Sequence, residues 1–167
     1  MDSITLERIK TAHPKLRAEL DTLYRKANNQ LGKNVRLRFA YVYRSAAEQD
    51  ALYNKRPKVT NAKGWQSIHN YGLAFDIVLL IDKDNNGTFE TAEWNTTKDF
   101  DGDGIADWME VVKVFKDAGW EWGGDWKSFK DAPHFQKTYG FDWRVLKQRI
   151  DKGIIIKDDN GITYPKI

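Results

Sequence analysis

The stretch LAFDIVLLI, residues 73–81, is the most apolar run in the chain, and its reading decides the fold. A continuous apolar run of this length reads as a strand buried on both faces, and such strands sit at the centre of a sheet. Asp76 stands in the middle of it. Burying a carboxylate is costly unless it is paired or ligates a metal, so the strand that organises the core is also expected to carry a site.

Upstream, residues 14–31 place Leu16, Leu20, Leu23, Ala27 and Leu31 at intervals of three and four, the pattern of an amphipathic helix, with Gly32 to end it. VRLRFAYVY, residues 35–43, alternates, with Val35, Leu37, Phe39 and Tyr41 on one side and Arg36 and Arg38 on a wet one. Ser45 followed three residues later by Glu48 is a capping box and predicts a helix over 46–55. Arg44 and Gln49 then lie at a strand-to-helix junction, where side chains often face a ligand. Residues 55–64 make a basic loop broken by Pro57.

Downstream, a helix is expected over 106–118 with Met109, Val112, Phe115 and Ala118 facing inward and Gly119 closing it. WEWGGDW, residues 120–126, turns the chain toward a strand at 134–136. A short helix follows at 142–150, then a hairpin around Asn160-Gly161 or a tail. The fold class is α+β, a small antiparallel sheet with helices packed on it.

Composition narrows the chemistry. The chain has 167 residues, enough for one domain with a sizeable core, and no cysteine, so a metal site must be built from His, Asp, Glu and backbone oxygen. The net charge of +3 is mild, and no zinc-finger spacing, basic helix or reader motif accompanies it; nucleic acid is not an expected partner. No segment is long and apolar enough to enter a membrane, and the first twenty residues lack a secretory leader.

Only three histidines are present. Two of them, His69 and His134, with Asp76, make a plausible three-ligand zinc site that leaves a fourth position for water. Asp131, in the stretch KDAPHFQ, is then a candidate base for the attacking water. The bland alternative is two ordinary histidines. In a regular strand Asp131 and His134 would face opposite ways, so their periodicity does not bring them together. Trp122, Trp126 and Tyr71 either wall a groove or pack in the core. Gly123-Gly124 would allow a tight turn that swings Asp125 toward the site, either to orient an imidazole from behind or to cap the turn.

SIHNYGLAFD, residues 67–76, followed by WGGDWKSFKDAPHF, residues 122–135, resembles the signature pair of the zinc peptidases that cut peptidoglycan stem peptides. This is the D-alanyl-D-alanine carboxypeptidase and L-alanyl-D-glutamate endopeptidase superfamily, and the likeness is greatest to its bacterial and bacteriophage L-alanyl-D-glutamate endopeptidase branch. The resemblance covers residues 5–136. It implies one catalytic zinc on His69, Asp76 and His134, with Asp131 as general base and acid. It also implies Arg44 as a carbonyl or carboxylate binder and Ser67 as a hydrogen-bonding substrate contact; Gln49, from its place at the strand-to-helix junction, and Tyr71 and Trp126, as groove walls, are the further candidate substrate contacts. Arg44 in a purely structural ion pair at the helix start is the competing role.

Two acidic loops lie between the halves of this site. DKDNNGTFETAE, residues 82–93, has the spacing of a twelve-residue calcium loop, with Asp82, Asp84, Asn86, the Thr88 carbonyl, Glu90 and Glu93 as ligands. DFDGDGIADWME, residues 99–110, repeats it with Asp99, Asp101, Asp103, the Ile105 carbonyl, Asp107 and Glu110. One or two structural Ca2+ ions would pin residues 82–110 as an insertion in a single catalytic domain, residues 1–150, with 151–167 as a C-terminal hairpin or tail.

The expected function is therefore zinc-dependent cleavage of the L-alanyl-D-glutamate bond by a monomer acting at the bacterial cell wall. Synthesis would be cytoplasmic, with release by a holin, by lysis or by a non-classical route. The alternatives are a D-alanyl-D-alanine carboxypeptidase or another stem-peptide endopeptidase, and a calcium-stabilised wall-binding module without turnover.

Overall fold

A computed structural model describes residues 1–167. The chain runs α1 (Ser3–Ile9), a 3-10 turn at Pro14–Leu16, α2 (Arg17–Gln30), β1 (Val35–Tyr41), α3 (Ala46–Tyr53), β2 (Ala74–Ile81), β3 (Thr91–Glu93), α4 (Asp107–Asp117), β4 (Glu121–Trp122), β5 (His134–Gln136), α5 (Trp143–Asp151), β6 (Ile155–Lys157) and β7 (Thr163–Pro165). This is the expected α+β fold with a small antiparallel sheet. No helix is long and apolar enough to cross a membrane.

β2 is the central strand. β1 pairs along its length on one edge, while β5 and β3 share the other, opposite residues 74–76 and 79–81 respectively; β4 extends the sheet beyond β5. Because side chains alternate, the register Phe75↔Phe135 and Asp76↔His134 sorts the two faces by chemistry. On the core face Phe39, Phe75 and Phe135 stack across three strands, at 4.3 and 5.1 Å between centroids, and Phe115 and Trp120 close over Phe75. Stacked pairs of this kind add roughly 0.5–1.5 kcal/mol each beyond the area they bury. On the other face, Asp76 and His134 are direct cross-strand neighbours.

Three expectations are corrected by packing. Tyr41 does not share the core face with Phe39, because the register shifts between them and sets Tyr41 opposite Asp76. This bulge turns the ring onto the site face, where it is 53% exposed. In α4 the inward stripe is Trp108, Val111, Val112, Val114 and Phe115, and Met109 is 37% exposed. Gly32 does not end α2 by a left-handed turn; a Cβ there would lie 2.4 Å from Cβ of Asp101, whose carboxylate accepts the Gly32 N–H at 2.7 Å.

Two elements lay outside the apolar periodicity. α1 is capped by Asp2, which is buried, bonds Thr5, and pairs with Arg38 at 2.8 Å. Its carboxyl stands below the ordinary value: burial would raise it, but Arg38 and Thr5 outweigh burial. The C-terminal residues form a hairpin, β6 with β7, rather than a loose tail. It is tied to the start of α2 by the Arg17–Asp158 ion pair at 2.6 Å and by His13, whose Nε2–H donates to the Pro165 carbonyl at 2.8 Å.

Candidate active site

The site begins with the cross-strand pair. Asp76 on β2 and His134 on β5 are brought into register by the sheet, and His69 arrives from the 3-10 turn Ile68–Tyr71, which Ser67 and Asn70 cap reciprocally. The ligating atoms of His69, Asp76 and His134 lie within 4.8 Å of one another. All three line one cavity of about 290 Å3 with Arg44, Ser67 and Asp131.

Hydrogen bonds behind the imidazoles fix which nitrogen faces inward. His69 Nδ1–H donates to the Val42 carbonyl at 2.7 Å, leaving Nε2 toward Asp76 Oδ1 at 3.2 Å. His134 Nε2–H donates to Gln136 Oε1 at 2.8 Å, leaving Nδ1 toward the same oxygen at 3.1 Å. Gln136 is itself oriented, its amide donating to Glu121 at 2.6 Å. Three ligand atoms thus face one point, an arrangement that suits a shared cation, either a proton or a metal ion. Burial would raise the Asp76 carboxyl, yet the two imidazoles hold it well below the usual carboxylate range. For His134 burial works downward, but the Asp76 carboxylate prevails and raises it. The donor set, two imidazoles and a carboxylate with their outer bonds satisfied, fits a divalent metal.

Asp131 reaches the cavity although strand periodicity would turn it away. Residues 131–133 are a turn, closed by the His134 N–H donating to the Asp131 carbonyl at 3.1 Å, so the alternation begins only at His134. Gly123 is needed behind it, because a Cβ there would approach the Asp131 carbonyl to 2.3 Å. Burial, and then the nearby Asp76 charge, raise the Asp131 carboxyl above its ordinary value, which makes it a better proton acceptor.

Arg44 is not locked in a structural ion pair. Its guanidinium donates to Gln49 Oε1 at 3.1 Å and lies over the Tyr41 ring at 4.8 Å, with no acidic partner. Gln49 is buried and held by the Ala62 carbonyl, so it orients Arg44 from behind. Ser67 caps the turn that carries His69 and also faces the cavity. Trp126 stands with its ring centroid 5.3 Å from that of His134 and lines the groove beyond it.

Two residues lie elsewhere. Tyr71 is fully buried and donates to the Trp65 carbonyl, so it supports the wall from inside rather than lining it. Asp125 pairs with Lys116 and orients neither imidazole, since Val42 and Gln136 hold those positions. Gln136 was findable, because a residue two positions after His134 on a strand shares its face. The Val42 carbonyl left no trace in side-chain identity.

The acidic loops gather unevenly. Asp99, Asp101 and Asp107 form one group and Asp101, Asp103 and Glu110 another, sharing Asp101. In the first loop Asp82, Asp84 and Glu90 come together, while Glu93 sits on β3 and accepts the N–H groups of Trp94 and Asn95. The Asn86 side chain accepts from Thr88, and the Ile105 side chain is exposed.

Fold and site together define an enzyme of the metallopeptidase type. The family profile described as D-alanyl-D-alanine carboxypeptidase matches residues 60–137. The peptidoglycan L-alanyl-D-glutamate endopeptidase CwlK of Bacillus subtilis (strain 168) is 40% identical over 129 residues, 74% of this chain and 72% of that protein. The L-alanyl-D-glutamate peptidase of Listeria phage A118 is 35% identical over 80 residues, 46% of this chain and 24% of that protein. The crystal structure of the Serratia marcescens L-Ala D-Glu endopeptidase ChiX superposes with a TM-score of 0.54 at 25% identity, covering 83% of this chain and 90% of that one. The chain belongs to the superfamily of peptidoglycan-cleaving zinc peptidases that includes the D-alanyl-D-alanine carboxypeptidases, close to its L-alanyl-D-glutamate endopeptidases.

Proposed function

We infer that the protein is a zinc-dependent peptidoglycan hydrolase that cleaves the amide bond between L-alanine and D-glutamate in stem peptides at the bacterial cell wall. The observation that carries this reading is the meeting of the ligand atoms of His69, Asp76 and His134 in the cavity that also holds Asp131. The choice of bond rests on the 40% identity to an L-alanyl-D-glutamate endopeptidase.

His69 Nε2, His134 Nδ1 and an oxygen of Asp76 would hold the zinc. Bound zinc supplies Lewis acidity toward a carbonyl oxygen and lowers the pKa of water to about 7. Asp131 takes the proton of the attacking water on its carboxylate and returns it to the nitrogen of the leaving amine. Arg44, oriented by Gln49 and free of any acidic partner, offers its fork of donors to a substrate carboxylate or to the carbonyl oxygen. Ser67 faces the same cavity and offers the substrate a hydroxyl.

Mass spectrometry of fragments released from purified peptidoglycan tests the reading. New D-glutamate amino termini are the expected product. Release of D-alanine alone would instead identify a carboxypeptidase, and wall binding by the folded, zinc-loaded protein without new termini would end the hydrolase proposal.

The second acidic loop is read as a structural Ca2+ site. Asp107 is fully buried with Oδ1 unpartnered, and Glu110 Oε2 is likewise buried without a partner. Burial, with repulsion from Asp103, Asp101, Asp107 and Asp99, pushes Glu110 up to about 7. Without a cation the protonated form favours the fold; that contribution is complete below the ordinary glutamate value and lost as pH rises through about 7. Calcium needs the ionised form and offsets the repulsion. Saturating Ca2+ is therefore expected to raise Tm by about 5–10 °C, taking ~2.7 kcal/mol at a hundredfold excess over Kd and 2–4 °C per kcal/mol. The shift should be larger on the alkaline side of that window and absent in Asp103→Ala. A calorimetric scan with equal Tm in Ca2+ and in chelator would remove the site. The first loop, with Asp82, Asp84, Asn86, Thr88 and Glu90, is the weaker candidate because Glu93 is engaged on β3.

A further inference from the structure

The groove leaves the histidines in two directions. Toward α3 it becomes a cleft of about 330 Å3 that shares Tyr41, Arg44 and Leu52 with the central cavity. Toward residues 126–131 it becomes a wider trough of about 710 Å3 that shares Val59, Thr60, Ser67, Asp131 and His134 with that cavity. A substrate lying across the site must occupy both.

The two arms differ in chemistry. The α3 arm holds two cations, Arg44 and Lys55, neither paired with an acidic side chain, beside one carboxylate, Glu48, that accepts the Ser45 N–H; the Tyr41 ring there is already covered by the Arg44 guanidinium at 4.8 Å. The trough is lined by the amides Asn61 and Gln66, by Gln136, whose amide is already bonded to His134 and Glu121, by the opposite charges of Lys130 and Asp131, and by aromatic and apolar surface. Phe129 is 84% exposed and Val59 62% exposed. Phe129 also has φ +53°, a left-handed conformation that bulky residues adopt only under strain and that keeps the ring at the surface. An exposed ring held at a local cost of stability, in a groove continuous with the active site, is a binding feature.

On the reading of the function given above, the two sides of the scissile amide differ in the same way. The D-glutamate side carries a free α-carboxylate, because the chain continues through the γ-carboxyl. The L-alanine side is joined through a lactyl group to an amino sugar of the glycan strand, which is uncharged there and presents apolar C–H faces beside an acetamido group. A carboxylate suits the arm with the net positive charge, and a pyranose with an acetamido group suits the aromatic trough, where the charges of Lys130 and Asp131 offset each other. An alanine plus a lactyl unit spans about 7 Å, two residue lengths. That reach carries the sugar past His134 to Trp126, whose ring is 5.3 Å from the histidine.

We propose that the trough walled by Trp126, Phe129 and Val59 is a glycan subsite that binds the N-acetylmuramic acid sugar bearing the stem peptide. The substrate then lies with its sugar on Phe129 and its D-glutamate carboxylate toward Arg44. The protein recognises peptide together with glycan, and stem peptides still attached to a strand are preferred over free ones.

Binding tests this apart from cleavage. N-acetylmuramyl-L-alanine and N-acetyl-L-alanine contain no L-alanyl-D-glutamate bond and are titrated into the zinc-loaded protein, with the indole signals followed by NMR. The sugar-bearing ligand is expected to bind about tenfold more tightly, a difference of ~1.4 kcal/mol. Phe129→Ala should erase that gain, and Phe129→Tyr should keep it; the exposed position leaves both variants folded. Equal affinity of the two ligands for the wild type, or a gain that survives in Phe129→Ala, overturns the subsite. Neither result touches the choice of bond, which the fragment analysis decides alone.

Discussion

Replacing Asp131 with asparagine is expected to lower kcat on a stem peptide by about 10²–10⁴-fold while leaving the zinc content unchanged. The carboxylate is not among the three converging donors, so the ion would keep its ligands. Asparagine preserves the shape of the turn, whose bonds are made by backbone: Asp131 N–H to the Gly123 carbonyl at 3.0 Å and His134 N–H to the Asp131 carbonyl at 3.1 Å. What is lost is the ability to take a proton from water and hand it to the departing amine. Elemental analysis of metal content beside steady-state rates separates this from loss of the site. A variant that turns over as fast as the wild type would show that the base is another group.

The other large effect is expected at Asp76. Its Oδ1 is the one oxygen that both inward-facing nitrogens approach, at 3.2 Å from His69 and 3.1 Å from His134. Asp76→Ala would leave two neutral imidazoles and no negative ligand, so zinc should be lost on dialysis against a mild chelator. Activity should fall at least ~10³-fold, since metal catalysis supplies several kcal/mol at 1.36 kcal/mol per tenfold. Asp76→Asn separates charge from shape, because the amide fills the same space between the strands without the charge. Retention of one zinc per chain together with full activity in Asp76→Ala would show that the three side chains do not form the metal site.

Much of this site could be read in the chain of letters because it sits on regular structure. The apolar run around Asp76 and the capping box of Ser45 and Glu48 appear as expected, and of the two readings of Asn160-Gly161, hairpin or tail, the hairpin forms. Each depends on neighbours within a few residues, where propensity, capping and pleat act directly. The departures share the opposite character. Tyr41 leaves the core because one extra residue enters β1 between Phe39 and Tyr41, and α1 forms because a buried Asp2 finds Arg38 across the fold. Asp125 turns away from the site because Lys116 on α4 is its partner.

By itself the sequence determined that residues 73–81 would form a buried strand carrying a carboxylate, and that two of only three histidines belonged to a known pair of motifs. Both follow from composition and local order. Only the tertiary structure decided that Asp131 joins His134 in one cavity, that Val42 and Gln136 bond the outer imidazole nitrogens, and that two arms of a groove meet at the site. Those facts arise from backbone carbonyls, a turn that interrupts alternation, and loops far apart in the chain, and residue identity along a strand carries no record of them.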